Sequence, residues 1–264
     1  MFKPMLAKVY HEHAHKLQFP VLVQPKLNGV RMCVHNKQVF SRSGKPLNVP
    51  AKVLKDLKQL STLALDGELY AHGVHLDQIR GNAKRLVNTA QDEGLQLKYH
   101  IFDIYNLKLT AAARLAMLAT IAETEHIKIV PYHIVKDAAN IDVLLEAYLQ
   151  QGYEGIMIRA FNAPYQQRRT ADLLKYKPWR YTTAVITGFI EGKGKYKGML
   201  GALQIISDDP KQQWTCNVGS GFDDLQRQTI WNNRTALLGT KIDLKYLELT
   251  SLGNPHGPIF IALK

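Results

Sequence analysis

Gln24-Pro25-Lys26-Leu27-Asn28-Gly29-Val30-Arg31 lies between two apolar, β-branched runs, Phe19–Val23 and Val30–Val34. It therefore reads as a loop joining two strands. A lysine held near a glycine, with an arginine five residues on, suits a nucleophile that attacks a phosphorus centre. The amine must shed its proton to attack, which neighbouring cations and partial burial favour. Gly29 lets backbone pass close to a phosphate, and Arg31 offers a rigid fork to its oxygens. Read alone, the octapeptide is equally a basic β-turn; the surrounding chain decides between the two.

Downstream, Gln38–Ser41 continues the β pattern into the turn Ser41-Arg42-Ser43-Gly44. Val53, Leu54, Leu57 and Leu60 have helical spacing, which predicts a helix over Ala51–Leu60. A strand is predicted over Leu63–Tyr70, with Asp66-Gly67 turn-like before Glu68. A helix follows over Asp77–Val87, basic at Arg80, Lys84 and Arg85, then a strand over Leu97–Tyr105. Thr110 can cap an Ala-rich helix reaching Glu123, and a second helix runs from Asn140 to the terminating Gly152. Gly155–Arg159 and Leu173–Lys177 are short strands, the latter placing Lys175 and Lys177 on one face. Upstream, His11, His13 and His15 alternate. A helix would not bring all three together, so they read as solvated surface rather than a metal site.

Pro178 and Trp179 mark a boundary. Beyond it, strands are predicted over Thr183–Ile190, Ala202–Ser207, Gln213–Val218 and Lys241–Leu249, with one helix over Asp223–Leu238 opened by Asp223 and Gln226 in capping-box spacing. One helix among about five strands fits a small, partly open oligonucleotide-binding (OB) barrel. The fold class expected is α+β, with domains at 1–180 and 181–264.

The 264 residues are 46% hydrophobic and 21% charged, a globular composition. Lys and Arg number 34 against 22 Asp and Glu, a net charge of +12. Residues 1–181 hold 25 basic and 15 acidic side chains, leaving 9 and 7 for 182–264, so the excess lies mostly in the larger part. Such a surplus suits a polyanionic partner, most simply nucleic acid. Cys33 and Cys216 form neither a disulfide framework nor a zinc site, which favours a reducing compartment. No apolar run approaches membrane-spanning length and no export signal core opens the chain, so a cytoplasmic protein is expected.

The candidate site gathers Lys26, Arg31, Arg42, Glu68, Glu154, Lys175 and Lys177. Two carboxylates can hold a hard divalent cation beside phosphate oxygens, and several cations can stabilise a transferring phosphoryl centre. Singly, each residue reads as an ordinary surface ion pair.

In this order along the chain, the landmarks resemble the covalent nucleotidyltransferase superfamily, and within it the minimal ATP-dependent DNA ligases. Lys26-Leu27-Asn28-Gly29-Val30-Arg31 is similar to its nucleophile motif. Ser41–Gly44, Leu65–Leu69, Phe102-Asp103, Tyr153–Arg159 and Leu174–Lys177 resemble those that follow. The resemblance implies an ATP-grasp-like nucleotidyltransferase domain of antiparallel sheets with helices, followed by an OB-fold β-barrel. It implies ATP and Mg²⁺ as cofactors, with AMP carried as a covalent adduct on Lys26, and nicked duplex DNA as the partner of a monomer. Glu68 would contact ribose or metal and Glu154 would bind metal. Phe102 and Met157 would flank adenine, and Gln24 would help read the base edge. Lys175 and Lys177 would hold the α-phosphate, and Arg31, Arg42 and Arg169 would meet the 5′-phosphate of the nick. Lys193, Lys195 and Lys197, in the Glu191–Leu203 segment similar to an early stretch of the ligase OB domain, form a mobile basic strip that would follow DNA phosphates. Asn28 stands where the family usually has aspartate, and Pro258–Lys264 offers no clear match for the terminal Arg and Asp-Lys cluster of larger relatives. The alternatives are an RNA ligase of the same superfamily and a non-catalytic nucleic-acid-binding protein on this scaffold.

Overall fold

The structure, a computed structural model, describes residues 3–60, 62–85, 95–250 and 252–264. Two compact units meet at the Lys177–Pro178 bond. Residues 178–180, expected in the first domain, fall in the second unit, where Arg180 already pairs with Tyr246.

The first unit carries two five-stranded sheets. One has the order Leu6–Val9, Arg169–Tyr176, Ile156–Ala160, Val21–Pro25, His133–Val135. The other has the order Gln38–Ser41, Val30–His35, Leu65–Tyr70, Lys98–Ile104, Ile127–Ile129. Both are antiparallel except for one pair each: Leu6–Val9 runs parallel to Arg169–Tyr176, and Ile127–Ile129 parallel to Lys98–Ile104. Side-chain alternation makes Val21–Pro25 a strand with two buried faces. Leu22 enters the core of the second sheet, while Val21 and Val23 pack with Ile141 and Leu145 of the Ala139–Gln150 helix.

The Gln24–Arg31 segment joins the two sheets. Gln24 and Pro25 pair with Met157 and Ile156 in one, and Val30 and Arg31 pair with Leu69 and Glu68 in the other. Gly29 is required here by its neighbours: a Cβ would collide with the Leu69 carbonyl and lie 2.8 Å from Glu68 Cγ. The close approach is thus to an adjacent strand of the protein itself. Asp66-Gly67 is not a turn. It sits inside the Leu65–Tyr70 strand, where a Cβ on Gly67 would strike the His100 carbonyl and the Tyr99 ring. A bulge at this point pairs Asp66 with Asp103 and Gly67 with Ile101, leaving Phe102 as the extra residue.

In the second unit, the sheet order is Thr215–Val218, Leu200–Ser207, Arg180–Glu191, Lys241–Tyr246, Ile259–Leu263, antiparallel throughout. Inward-facing Ala184, Ile186, Leu203, Ile205, Ile242 and Leu244 pack with Ile230 from the Asp224–Asn232 helix. The two edge strands approach each other at a Ser220–Ile259 bridge, where Phe260 N–H donates to the Ser220 carbonyl at 2.9 Å and Ser220 Oγ donates to the Pro258 carbonyl at 3.0 Å. The sheet is an OB-like barrel left open along that seam.

Several boundaries move. The predicted Asp223–Leu238 helix keeps its capping box but is interrupted at Asn233, giving Asp224–Asn232 and Arg234–Leu237. The helix capped by Thr110 stops at Ala119. The helix predicted over Asp77–Val87 is Leu76–Arg85; residues 86 and 87, and the Lys84 and Arg85 side chains, lie outside the described residues. His11–His15 form one helical turn and a 3₁₀ turn. His11 is not simply solvated: its Nε2 lies 3.2 Å from the Lys177 carbonyl and its ring packs edge-on to Tyr176. Among the described residues, no helix is long and apolar enough to cross a membrane.

Candidate active site

A cavity of about 950 Å³ opens between the two sheets of the first unit. From the first sheet and its flanks come Gln24, Lys26, Met157, Arg169, Lys175 and Lys177; from the second come Arg31, Glu68 and Phe102, with Arg42 on the turn after Gln38–Ser41. Arg80 and Arg159, not anticipated from the sequence, line it too. Among the described lining residues Glu68 alone is acidic against eight Lys and Arg, so the cavity carries a cationic excess suited to a polyphosphate.

Backbone pairing sets the position of the lysine. Lys26 N–H donates to the Gly155 carbonyl at 2.8 Å, and Glu154 N–H to the Lys26 carbonyl at 3.3 Å. This brings the Glu154 carboxylate onto the Lys26 ammonium, and its other oxygen onto that of Lys177. Two ammonium groups thus share one carboxylate. Lys177 lies one residue beyond the end of the Arg169–Tyr176 strand and is buried, whereas Lys175 is half-buried and pairs in register with Met157.

Arg31 and Glu68 face each other across paired strands. Arg31 makes a two-pronged ion pair with Asp66, its Nε 2.8 Å from Oδ1 and its Nη2 on Oδ2. Burial would lower the Arg31 pKa, and the Asp66 carboxylate more than offsets this, holding it above the usual arginine range. Tyr165 donates its hydroxyl to Asp66 Oδ2 at 2.6 Å and accepts from Met5 N–H at 2.9 Å. Glu68 is half-buried and accepts from Gly29 N–H at 3.2 Å. Burial pushes its carboxyl up to about 7 against the opposing pull of Arg31 and Lys26.

Phe102, freed by the bulge, carries the Arg31 and Arg159 guanidinium carbons at 5.2 and 5.6 Å from its ring centre. The buried Asp103 holds Arg114 (2.7 Å) and Arg159 (2.6 Å). Arg159 Nε in turn donates to Gln24 Oε1 at 3.0 Å, while Gln24 Nε2 donates to the carbonyls of Phe102 and Val130. Gln24 is therefore occupied by protein partners at both ends of its amide, and reading a base edge would mean sharing Oε1. The Arg159–Asp103–Arg114 group has no periodicity that would announce a buried charge network, although Asp103 and Arg159 fall in two of the segments that carry the resemblance.

Arg42 and Arg169 are exposed at the mouth, and Arg169 donates to the Ala7 carbonyl. Among the described residues, no three His, Cys, Asp or Glu side chains converge as a metal cluster. Glu68 and Glu154 nonetheless supply two hard oxygen donors beside the cationic cavity, a donor set that suits a Mg²⁺ ion completed by substrate phosphates and water. Lys193, Lys195 and Lys197 lie in the second unit, exposed on the turn between Arg180–Glu191 and Leu200–Ser207.

Comparison with known families gives a concordant result. The model of the ATP dependent DNA ligase domain matches residues 4–177, and that of the DNA ligase OB-like domain matches residues 191–264. The chain is 29% identical over 238 residues to a DNA ligase of Haemophilus influenzae, covering 89% of this chain and 83% of that one. It is 26% identical over 281 residues to a DNA ligase of African swine fever virus, covering 95% and 65%. Among solved structures it is similar in fold to a Lig E DNA ligase (TM-score 0.74, 22% identity, both chains covered in full). A Chlorella virus DNA ligase-adenylate is also similar in fold (TM-score 0.56, 24% identity, covering 100% of this chain and 98% of that one).

Proposed function

This chain belongs to the ATP-dependent DNA ligase family, and on that premise we propose that Lys26 is its nucleophile and nicked duplex DNA its substrate. The observation that carries the reading is the Lys26 ammonium, held by Glu154 in a cationic cavity large enough for a nucleotide. Lys26 Nζ, once deprotonated, forms a bond to the α-phosphorus of ATP as the bond to pyrophosphate breaks. The AMP then passes to the 5′-phosphate of the nick, and the 3′-hydroxyl displaces it to close the strand.

The other side chains act by position and charge. Lys175 and Lys177 neutralise charge gathering on the α-phosphate in both adenylyl transfers. Phosphate oxygens entering beside Lys26 and Lys177 compete with Glu154 for those ammonium groups, which frees its carboxylate for a divalent cation. Glu154 and Glu68 would hold Mg²⁺, which when bound supplies charge neutralisation for the leaving pyrophosphate. Phe102 and Met157 offer apolar contact to adenine, with Gln24 anchoring the Phe102 backbone. Arg42 and Arg169, exposed at the mouth, meet the 5′-phosphate together with Arg31, whose fork Asp66 aims. All these groups come from one chain, so a monomer suffices. The second unit, an OB-type domain, meets the duplex through Lys193, Lys195 and Lys197.

Intact mass after incubation with ATP and Mg²⁺ tests the reading. The parent gains an AMP-sized increment and Lys26→Ala does not. Nicked DNA is then sealed in preference to nicked RNA. A parent that neither gains the increment nor releases AMP with pyrophosphate is no ligase.

A further inference from the structure

Arg227 is a charged side chain in the interior of the second unit, only 6% exposed. It projects from the Asp224–Asn232 helix. Its Nη1 donates to the carbonyls of Leu200 (2.8 Å) and Gly201 (3.1 Å), and its Nη2 to that of Gly219 (2.7 Å). Its buried Nε has no hydrogen-bond partner among the described residues. The guanidinium carbon lies 4.5 Å from the Tyr196 ring centre and 5.3 Å from that of Phe222, which stacks on Phe260 at 4.4 Å. Lys195 Nζ sits 4.4 Å from the same Tyr196 ring. A guanidinium is costly to bury, and an apolar side chain of similar volume would usually serve the core as well. What the arginine adds is connection, since its fork and ring contacts join the helix, two backbone segments and Tyr196.

Tyr196 belongs to the turn that carries the three lysines. That turn, expected as a mobile strip from alternating glycine and lysine, is closed by a set of hydrogen bonds. Gly192 N–H donates to Met199 at 2.9 Å, Tyr196 N–H to Lys193 at 3.2 Å, Lys197 N–H to Gly194 at 3.2 Å and Met199 N–H to Tyr196 at 3.0 Å. Glu191 Oε1 accepts from Gly198 N–H at 2.9 Å. Lys193, Lys195 and Lys197 are exposed while Tyr196 is half-buried. The ring therefore faces Arg227 as the ammonium groups face solvent.

We propose that Arg227 is a positioning residue for DNA binding: through the Tyr196 ring it fixes the 192–199 turn so that Lys193, Lys195 and Lys197 meet the phosphate backbone together. This rests on the reading of that turn as a DNA contact. Preorganisation matters because a loosely held turn would have to be ordered on binding before its lysines could meet the phosphates together.

The test is equilibrium binding of the full chain to nicked duplex DNA over a range of salt concentrations. Tyr196→Leu and Arg227→Met weaken binding about tenfold near 0.1 M salt and lower the slope of log affinity on log salt by about two. Tyr196→Phe keeps the ring and stays within about twofold of the parent. Arg227→Lys does not rescue, because an ammonium lacks the fork that reaches the backbone carbonyls. In a Lys193→Ala, Lys195→Ala, Lys197→Ala background, Arg227→Met costs nothing further, since it acts through those lysines. If the triple variant itself binds like the parent with an unchanged slope, the DNA-contact reading fails and takes the proposal with it. If the triple variant binds weakly while Tyr196→Leu binds like the parent, or Arg227→Met retains its full effect in the triple background, the positioning role is overturned and the reading stands. Tyr196 lies on the turn, outside the apolar core of this unit, so Tyr196→Leu carries the test if thermal unfolding shows that Arg227→Met does not fold.

Discussion

In and behind the cavity of the first unit, many of the cations are fixed by carboxylates: Arg31 by Asp66, Arg114 and Arg159 by Asp103, Lys26 and Lys177 by Glu154. On the turn of the second unit, exposed lysines are backed by an aromatic ring and by an arginine bonded to backbone carbonyls. The difference matches what each region is proposed to do. Chemistry at one phosphorus atom needs cations aimed to within a fraction of an ångström, and a carboxylate partner gives that aim at the cost of desolvation. Contact with a continuous phosphate backbone needs charge that remains available to solvent. An acidic partner there would compete with the DNA.

The widest gap between the regions is expected at Glu154. Glu154→Ala leaves two ammonium groups adjacent without their shared anion and removes a metal donor, so lysyl-AMP formation falls by about 10²–10³ or more. A single-turnover time course of the mass increment measures it. A rate within tenfold of the parent would mean that the carboxylate merely holds the lysines in the resting protein, which would bring the two regions closer in kind.

Next in size are the buried pairs. Asp103→Ala strands Arg114 and Arg159, and Asp66→Ala strands Arg31, each expected to cost about 3–5 kcal/mol in denaturant unfolding. Loss of an exposed lysine from the turn moves the same midpoint by no more than about 0.5 kcal/mol. Equal costs in the two regions would mean that the carboxylate partners do not hold their cations more firmly than the turn holds its lysines.

Glu68 is a carboxylate the cavity fails to stabilise. Its folded pKa, about 7, lies above the ordinary 4.5, so the folded state binds the proton more tightly than the unfolded chain. Native stability therefore declines as pH climbs from about 4.5 to about 7, and the full penalty, up to about 3 kcal/mol, persists above that. Glu68→Gln removes the penalty. The variant should melt above the parent at pH 8 and alongside it near pH 4, with melting temperature against pH as the readout. An offset independent of pH would mean that folding leaves the Glu68 pKa at its ordinary value.

How far these arrangements could be read from sequence follows from their range. Lys26, Gly29 and Arg31 are legible because loop chemistry is local, and the Asp223–Gln226 capping box for the same reason. The short strands Leu6–Val9, Ile127–Ile129 and His133–Val135 were invisible because three or four residues carry no measurable period; they exist by pairing with longer neighbours. Asp66-Gly67 looked like a turn because the dipeptide usually is one. Only the approach of His100 and Tyr99 shows why glycine sits inside a strand. Similarly, alternating glycine and lysine over 192–198 suggested mobility, since nothing in the spacing announces that Tyr196 will find Arg227.

The smallest expected effects belong to that turn taken one residue at a time. Lys193→Ala, Lys195→Ala or Lys197→Ala each removes at most one phosphate contact, so the salt slope drops by about 0.9 and affinity falls only a few-fold. The three need not be equal. Of the three, Lys195 rests on the Tyr196 ring. That contact restrains the side chain before DNA arrives, so Lys195 loses less freedom on binding and should cost the most affinity of the three when removed. Slopes that fall equally, with affinities that do not, would separate charge from preorganisation at a single ring. Equal affinities would mean that the ring organises the turn's backbone and leaves Lys195 as free as its neighbours.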